Sequence, residues 1–303
     1  MSYLGTVFPP ARVVVNRLPF TRDQVMLLLA AVTEIFLGID IYFAHSISGT
    51  IKPNEWIPII FGIAAGVVLL LAGLIAFRNR PLASLLANVV FLGSIIVGLM
   101  GGYFHLVRAN LLGGGAPIGE AVNVLIWAPP FLGPLFFALN GVLGISAAWV
   151  ETPVDSGRLR LLGRAHVQMP YSKTRAYFFI VSIGILATTI SSVMDHARVN
   201  LDNPWVWIPT AAGVFAVVVA AVLGFIARPS RNDLTIYTVT MLLLCLVGIV
   251  GFALHVNTNL IANGSILLER FVRGSPFLAP LVFANWGLIG LVALLDPAEE
   301  REK

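Results

Sequence analysis

The residues Gly98-Leu99-Met100-Gly101-Gly102-Tyr103-Phe104-His105 end an apolar run with three glycines and a histidine. On an α-helix, positions 98, 101, 102 and 105 lie on one stripe, so the imidazole would stand at the head of a groove without side chains. A flat ligand could lie in such a groove. The device recurs as Gly248-Ile249-Val250-Gly251-Phe252-Ala253-Leu254-His255, and each copy follows a further histidine, His45 or His196, that ends an earlier apolar run. Two axial imidazoles on one haem iron would use each pair, His45 with His105 and His196 with His255. Gly98, Gly101, Gly248 and Gly251 would then make room for the porphyrins. Gly38 beneath His45, and Thr189 and Ser192 beneath His196, are small where the same geometry needs space.

The elements that must position these groups are membrane helices. The chain has 303 residues, 58% of them hydrophobic and only 11% charged, with a mean hydropathy of +0.90. Soluble domains carry roughly 25% charged residues. A hydrocarbon core of ~30 Å needs about 20 apolar residues per crossing, and eight runs qualify, near 24–45, 56–77, 84–107, 127–149, 176–195, 206–227, 235–256 and 277–295. The expectation is an all-α polytopic protein of eight transmembrane helices.

Those runs form two versions of one four-span unit. At an offset of 151, His45, Trp56-Ile57-Pro58, Gly62 and Arg80 match His196, Trp207-Ile208-Pro209, Gly213 and Arg231; at 150, Gly98, Gly101 and His105 match Gly248, Gly251 and His255. At 146, Phe131, Pro134, Phe137 and Gly141 match Phe277, Pro280, Phe283 and Gly287. An even number of spans per unit makes the repeats parallel, related by an axis along the membrane normal. The expected domains are residues 1–150, a basic linker 151–175, and 176–303. His166, in the linker, receives no site role.

Placing the N-terminus in the cytoplasm puts 14 of the 19 Lys and Arg inside (Arg12, Arg17, Arg22, Arg78, Arg80, Arg158, Arg160, Arg164, Lys173, Arg175, Arg228, Arg231, Arg301 and Lys303). Only Lys52, Arg108, Arg198, Arg270 and Arg273 fall outside. This asymmetry predicts cytoplasmic termini and outward histidines, in a bacterial or archaeal cytoplasmic membrane. The charge of +4 is thus a topology signal rather than a nucleic-acid patch. The first twenty residues have no continuous apolar core, unlike a cleavable signal peptide. The single cysteine, Cys245, excludes an internal disulfide and any cysteine-based cluster in one chain. The glycine-rich loop 113–117 lacks the Gly-Lys-Ser/Thr ending of a phosphate-binding loop.

Two acids interrupt the first span, Glu34 and Asp40, where the second half has Ile185 and Ser191. Glu34 shares a helix face with His45 and stands about 16 Å below it at ~1.5 Å per residue. Intramembrane carboxyls are costly unless paired or functional, so Glu34 and Asp40 are the candidate catalytic proton carriers. Arg108, Asn110, Asn257 and Asn259 could hold haem propionates or a quinone headgroup. Trp56, Trp127, Trp205 and Trp207 suit an interfacial aromatic belt.

The layout resembles haem A synthase, another eight-span duplication with an outward histidine pair in each half. The likeness is one of architecture, since Glu34 stands eleven residues before His45 and no glutamate precedes His196 in the second half. Membrane anchors of the polysulfide-reductase type are also eight-span and bind quinone without haem. The leading expectation is a b-type cytochrome-like protein with two outward haem b groups, a quinol-linked oxidoreductase subunit. It would exchange electrons with quinone or quinol and with an outer-side redox protein or other membrane subunits. Alternatives are a haem-free quinone-binding anchor or assembly subunit, and a metal-dependent oxygenase or haem-modifying enzyme. All four histidines with Asp195 pooled around copper or iron would suit the last of these.

Overall fold

The structure, a computed structural model, describes residues 3–7, 20–47, 49–111, 118–161, 165–199, 201–260 and 269–295. Arg12, Arg17, Arg164, Arg301, Lys303 and the loop 113–117 lie outside them. A short helix α1 (Tyr3–Val7) precedes α2 (Arg22–Ser46), α3 (Trp56–Ile75), α4 (Arg80–Arg108), α5 (Ile118–Trp127) and α6 (Leu132–Ala148). The linker folds as three strands, β1 (Val150–Glu151), β2 (Arg158–Arg160) and β3 (His166–Gln168), in one antiparallel sheet. Then come α7 (Lys173–Ala197), α8 (Trp207–Phe225), α9 (Arg231–Leu260), α10 (Glu269–Arg273) and α11 (Leu281–Val292).

Local sequence sets these boundaries. Thr21 caps α2 by a reciprocal box with Gln24, and Ser172 caps α7 by accepting from the Arg175 amide. Pro53 and Pro204 open single 3₁₀ turns that lead into α3 and α8, where a missing N–H leaves no bond unmade.

Six helices, α2, α3, α4, α7, α8 and α9, are long and apolar enough to cross a membrane, and α5 with α6 makes a seventh if that pair, bent by 80°, is one span. The molecule is therefore an all-α integral membrane protein. Among the described residues the fourth helix of each group is shorter than a full span, α6 with 17 residues and α11 with 12. Pro134 sits in the first turn of α6 and Pro280 is the N-cap of α11, positions where a missing N–H is tolerated. Large apolar residues such as Ile60, Leu74 and Phe225 face outward, while the interior combines Gly, Ala and a few polar groups with aromatic and aliphatic side chains such as Phe91, Phe137 and Met241. That is the distribution a lipid solvent favours.

α2 packs on α3 and α6, and α4 packs on the same two, so α2 and α4 stand at opposite corners of a four-helix group. In the second group α7 and α9 stand opposite each other across α8 and α11. The groups meet through α6 with α7 and α2 with α11. At the linker end Arg22 Nη1 donates to Thr174 Oγ1 at 2.7 Å, and Lys173 Nζ donates to Asp23 Oδ2 at 2.6 Å. Because 22 and 173, like 23 and 174, differ by 151, the contact is reciprocal between corresponding positions. Tyr177 closes it by donating to Asp23 Oδ1 at 2.9 Å.

Candidate functional site

The four candidate histidines come together in two pairs at the end of the bundle away from the linker. The rings of His45 and His105 lie 6.1 Å apart, with planes at 83°; those of His196 and His255 lie 6.3 Å apart at 79°. Each pair bridges opposite corners of its four-helix group, which is why helices that hardly touch bring their last turns to one point. All four rings are partly buried.

Each ring is oriented by a backbone carbonyl at Nδ1. His45 Nδ1 pairs with Ile41 O at 3.0 Å and His196 Nδ1 with Ser192 O at 2.8 Å, one turn down their own helices. His105 Nδ1 pairs with Pro130 O at 3.1 Å, and His255 Nδ1 with Pro276 O at 3.0 Å, in the loops that follow their helices. A carbonyl only accepts, so each Nδ1 is the donor, and in the neutral form of such a ring the lone pair lies on Nε2. A metal-ligating histidine commonly has its other ring nitrogen held by a carbonyl in this way.

The loop carbonyls are themselves held. Asn259, fully buried, accepts from Ser275 N and donates to Ser275 O, both at 2.9 Å, and so fixes the residue before Pro276. Arg198, two residues after His196, donates to Ile126 O at 2.7 Å and Ala128 O at 3.0 Å in the loop that carries Pro130. Asn259 thus serves the histidine loop rather than a propionate or quinone. Arg108 pairs with Glu55 at 3.6 Å.

The glycine stripe has a different use from the one its spacing suggests. A Cβ on Gly98 would lie 2.5 Å from Ala138 N, and one on Gly101 would lie 2.6 Å from Pro134 Cβ; Gly248 and Gly251 meet Ala284 N at 2.5 Å and Pro280 Cβ at 2.8 Å. The groove is filled by the next helix, α6 or α11. Gly38 likewise admits the backbone of α3 at Ile59 and Ile63. These are close helix crossings, and the space over the stripe belongs to packing rather than to a ligand.

No family model, curated protein or solved structure matches the chain.

Glu34 lies fully buried at mid-height on α2. Its Oε1 accepts from Ser94 Oγ at 2.6 Å and from Asn140 Nδ2 at 2.8 Å, and Oε2 has no partner. Ser94 and Asn140 escape a reading of motifs because each is a lone small polar residue in an apolar run. Position-by-position comparison of the halves reveals them: the counterparts of Glu34, Ser94 and Asn140 at offsets 151, 150 and 146 are Ile185, Leu244 and Trp286, all buried. Asp40 is partly buried and apart from this cluster, within electrostatic reach of Asp195 on α7. Among the described residues no three His, Cys, Asp or Glu side chains gather, so the four histidines and Asp195 do not form one pooled centre.

Proposed function

We propose that the chain is a membrane electron-transfer protein in which each histidine pair holds one haem b iron, with quinol as donor and an outer-side redox protein as acceptor. The observation that carries the reading is the shared state of the four rings: Nδ1 spent on a carbonyl, Nε2 bearing the lone pair, and centroids 6.1 and 6.3 Å apart. Two imidazoles bound to one metal at about 2.0–2.1 Å have centroids about 6 Å apart. A haem between such ligands supplies one-electron chemistry. The protein's own part is to fix the tautomers, hold the ring pairs at one height and keep bulk water from them.

The fold reading that accompanies this is eight membrane segments in two parallel four-helix repeats, with α6 and α11 as shortened fourth members. The reciprocal contact of Arg22 with Thr174 and of Lys173 with Asp23 supports it, as does the matching set of helix neighbours. Both termini and the strand-forming linker are cytoplasmic in this reading. Glu34 then lies between the two faces as a proton carrier, with Ser94 and Asn140 as its hydrogen-bond donors.

One observation favours a smaller occupant. The helix packed over Gly98 and Gly101 takes the slot that a porphyrin edge would use, which suits a bare copper or iron ion between each pair. The visible spectrum of the detergent-purified protein separates these readings, together with metal analysis. A reduced-minus-oxidised b-type α-band is the expected result, with His45→Ala or His105→Ala removing one haem and His196→Ala or His255→Ala the other. A colourless protein with copper or iron assigns the bare-ion site. A colourless, metal-free protein refutes both and leaves a haem-free anchor.

A further inference from the structure

We propose that a cavity between the two helix groups binds the ring of a single-ring membrane quinone. The proposal rests on the quinol-linked reading for its ligand class, and it gives that reading a site separate from the histidines. The cavity has a volume of about 150 Å³ and lies between α2, α6 and α11. An apolar protein cavity of about 150 Å³ takes up benzene, so the space suits one six-membered ring.

Its walls are apolar except for Thr33, Asn140, Asn285 and Trp286. Trp286 is only 3% exposed, and its indole Nε1–H has no acceptor. A buried donor without a partner is rare enough to require an occupant or a role. The two amides offer the opposite function. Asn140 spends both N–H groups, on Glu34 Oε1 at 2.8 Å and Ala30 O at 2.9 Å, and Asn285 donates to Thr33 Oγ1 at 3.2 Å. Asn140 can therefore present only its Oδ1 to a ligand, and Asn285 its Oδ1 together with its second N–H.

A ring-sized apolar space with an indole and an amide donor and two amide acceptors on its walls fits a molecule whose ring oxygens accept in one redox state and donate in the other. A quinone carbonyl would take the indole hydrogen, and a quinol hydroxyl would donate to an asparagine. Val32 forms part of the wall and is half exposed on the outer surface of α2, so an isoprenoid tail has a way out among lipid chains. Glu34 stands one hydrogen bond behind Asn140.

The test is a titration of the detergent-solubilised protein with decylubiquinone, alongside its visible spectrum. The expected result is saturable binding of one quinone per chain, weakened about tenfold by Trp286→Phe, which keeps an aromatic ring and removes the N–H. Val32→Trp, at a half-exposed position that leaves the core alone, closes the wall from outside and is expected to abolish binding. No saturable binding to the unaltered protein, or binding unchanged by both substitutions, overturns the proposal. Quinone binding sensitive to Trp286 and Val32 in a colourless, metal-free protein supports this site and refutes the haem reading. A haem-containing protein without saturable quinone binding does the reverse.

Discussion

Glu34→Gln separates the chemistry of the buried carboxyl from its packing. The present side chain makes its two hydrogen bonds through Oε1, accepting from Ser94 and Asn140, and glutamine can put a carbonyl oxygen in the same place. Both bonds survive. The amide nitrogen then occupies the position of Oε2, which has no partner now, so an N–H₂ group is buried where no acceptor stands. The cost is one unsatisfied polar group, about 1–3 kcal/mol. Glu34→Leu removes the acceptor as well, which strands one Asn140 N–H and leaves the Ser94 hydroxyl only the Val90 carbonyl at 3.3 Å, and costs about 2–4 kcal/mol. If Glu34 only organises its neighbours, function should follow stability, with glutamine mild and leucine severe. If it carries protons, both variants lose the function while only leucine loses much stability. The assay is stopped-flow reduction of the two proposed haems by decylubiquinol over a range of pH, with dithionite reduction as control and thermal unfolding in detergent measured in parallel. The expected result for Glu34→Gln is a quinol-driven rate about 10²-fold lower or worse, with normal dithionite reduction and the loss of one component of the pH profile. Wild-type rate and an unchanged profile would refute the reasoning.

Three further outcomes follow from the packing. Asp23→Ala leaves the Lys173 ammonium, 1% exposed, without its carboxylate, and unfolding in detergent should be easier by about 3–5 kcal/mol; adding Lys173→Met should recover part of that loss. Gly98→Leu and Gly248→Leu force α4 from α6 and α9 from α11, whereas Gly73→Leu, with nothing within 4 Å of its built Cβ, should leave thermal stability unchanged. Asn259→Ala releases Ser275 and so the Pro276 carbonyl that orients His255, and metal or haem affinity should fall about 10–100-fold at the second pair alone, read as loss of half the bound complement.

Much of this arrangement is legible in the chain because corresponding residues recur at near-constant offsets. His45 and His196, and His105 and His255, announce their pairing by recurring at offsets of 151 and 150 at the ends of corresponding helices. The ring spacing then follows from the diagonal geometry of a four-helix group. Glycine spacing is less informative, since the stripe made by Gly98 and Gly101 is equally a groove and a seat for another helix. Only the partner helix decides between them, through Pro134 and Ala138. Apolar length overstates the helix at α11: residues 277–295 are apolar except for Asn285, yet the chain from Pro276 to Phe283 closes i→i+3 turns and the regular helix begins at Leu281. The carbonyls that fix the tautomers belong to main chain and have no side-chain signature.

The halves agree at the histidine end and part at mid-height, and that divergence is directional. Where the first group has Glu34, Ser94 and Asn140, the second has Ile185, Leu244 and Trp286, with Gly184 beneath the indole where the first group has Thr33. Apolar replacement would by itself be ordinary repacking. Yet Trp286 keeps a polar edge, and both Trp286 and Asn140, corresponding residues of the two groups, line the one cavity between them. A duplication that merely lost its proton-carrying cluster in one copy would be expected to fill this position with a wholly apolar side chain, since a buried unpaired N–H is costly. Keeping the donor opposite the acceptor of its own counterpart makes the cavity two-sided: hydrogen-bond acceptance and the carboxyl on the first group, donation on the second. Under the proposed quinone binding, the two groups would divide the handling of one molecule, each with its own histidine pair.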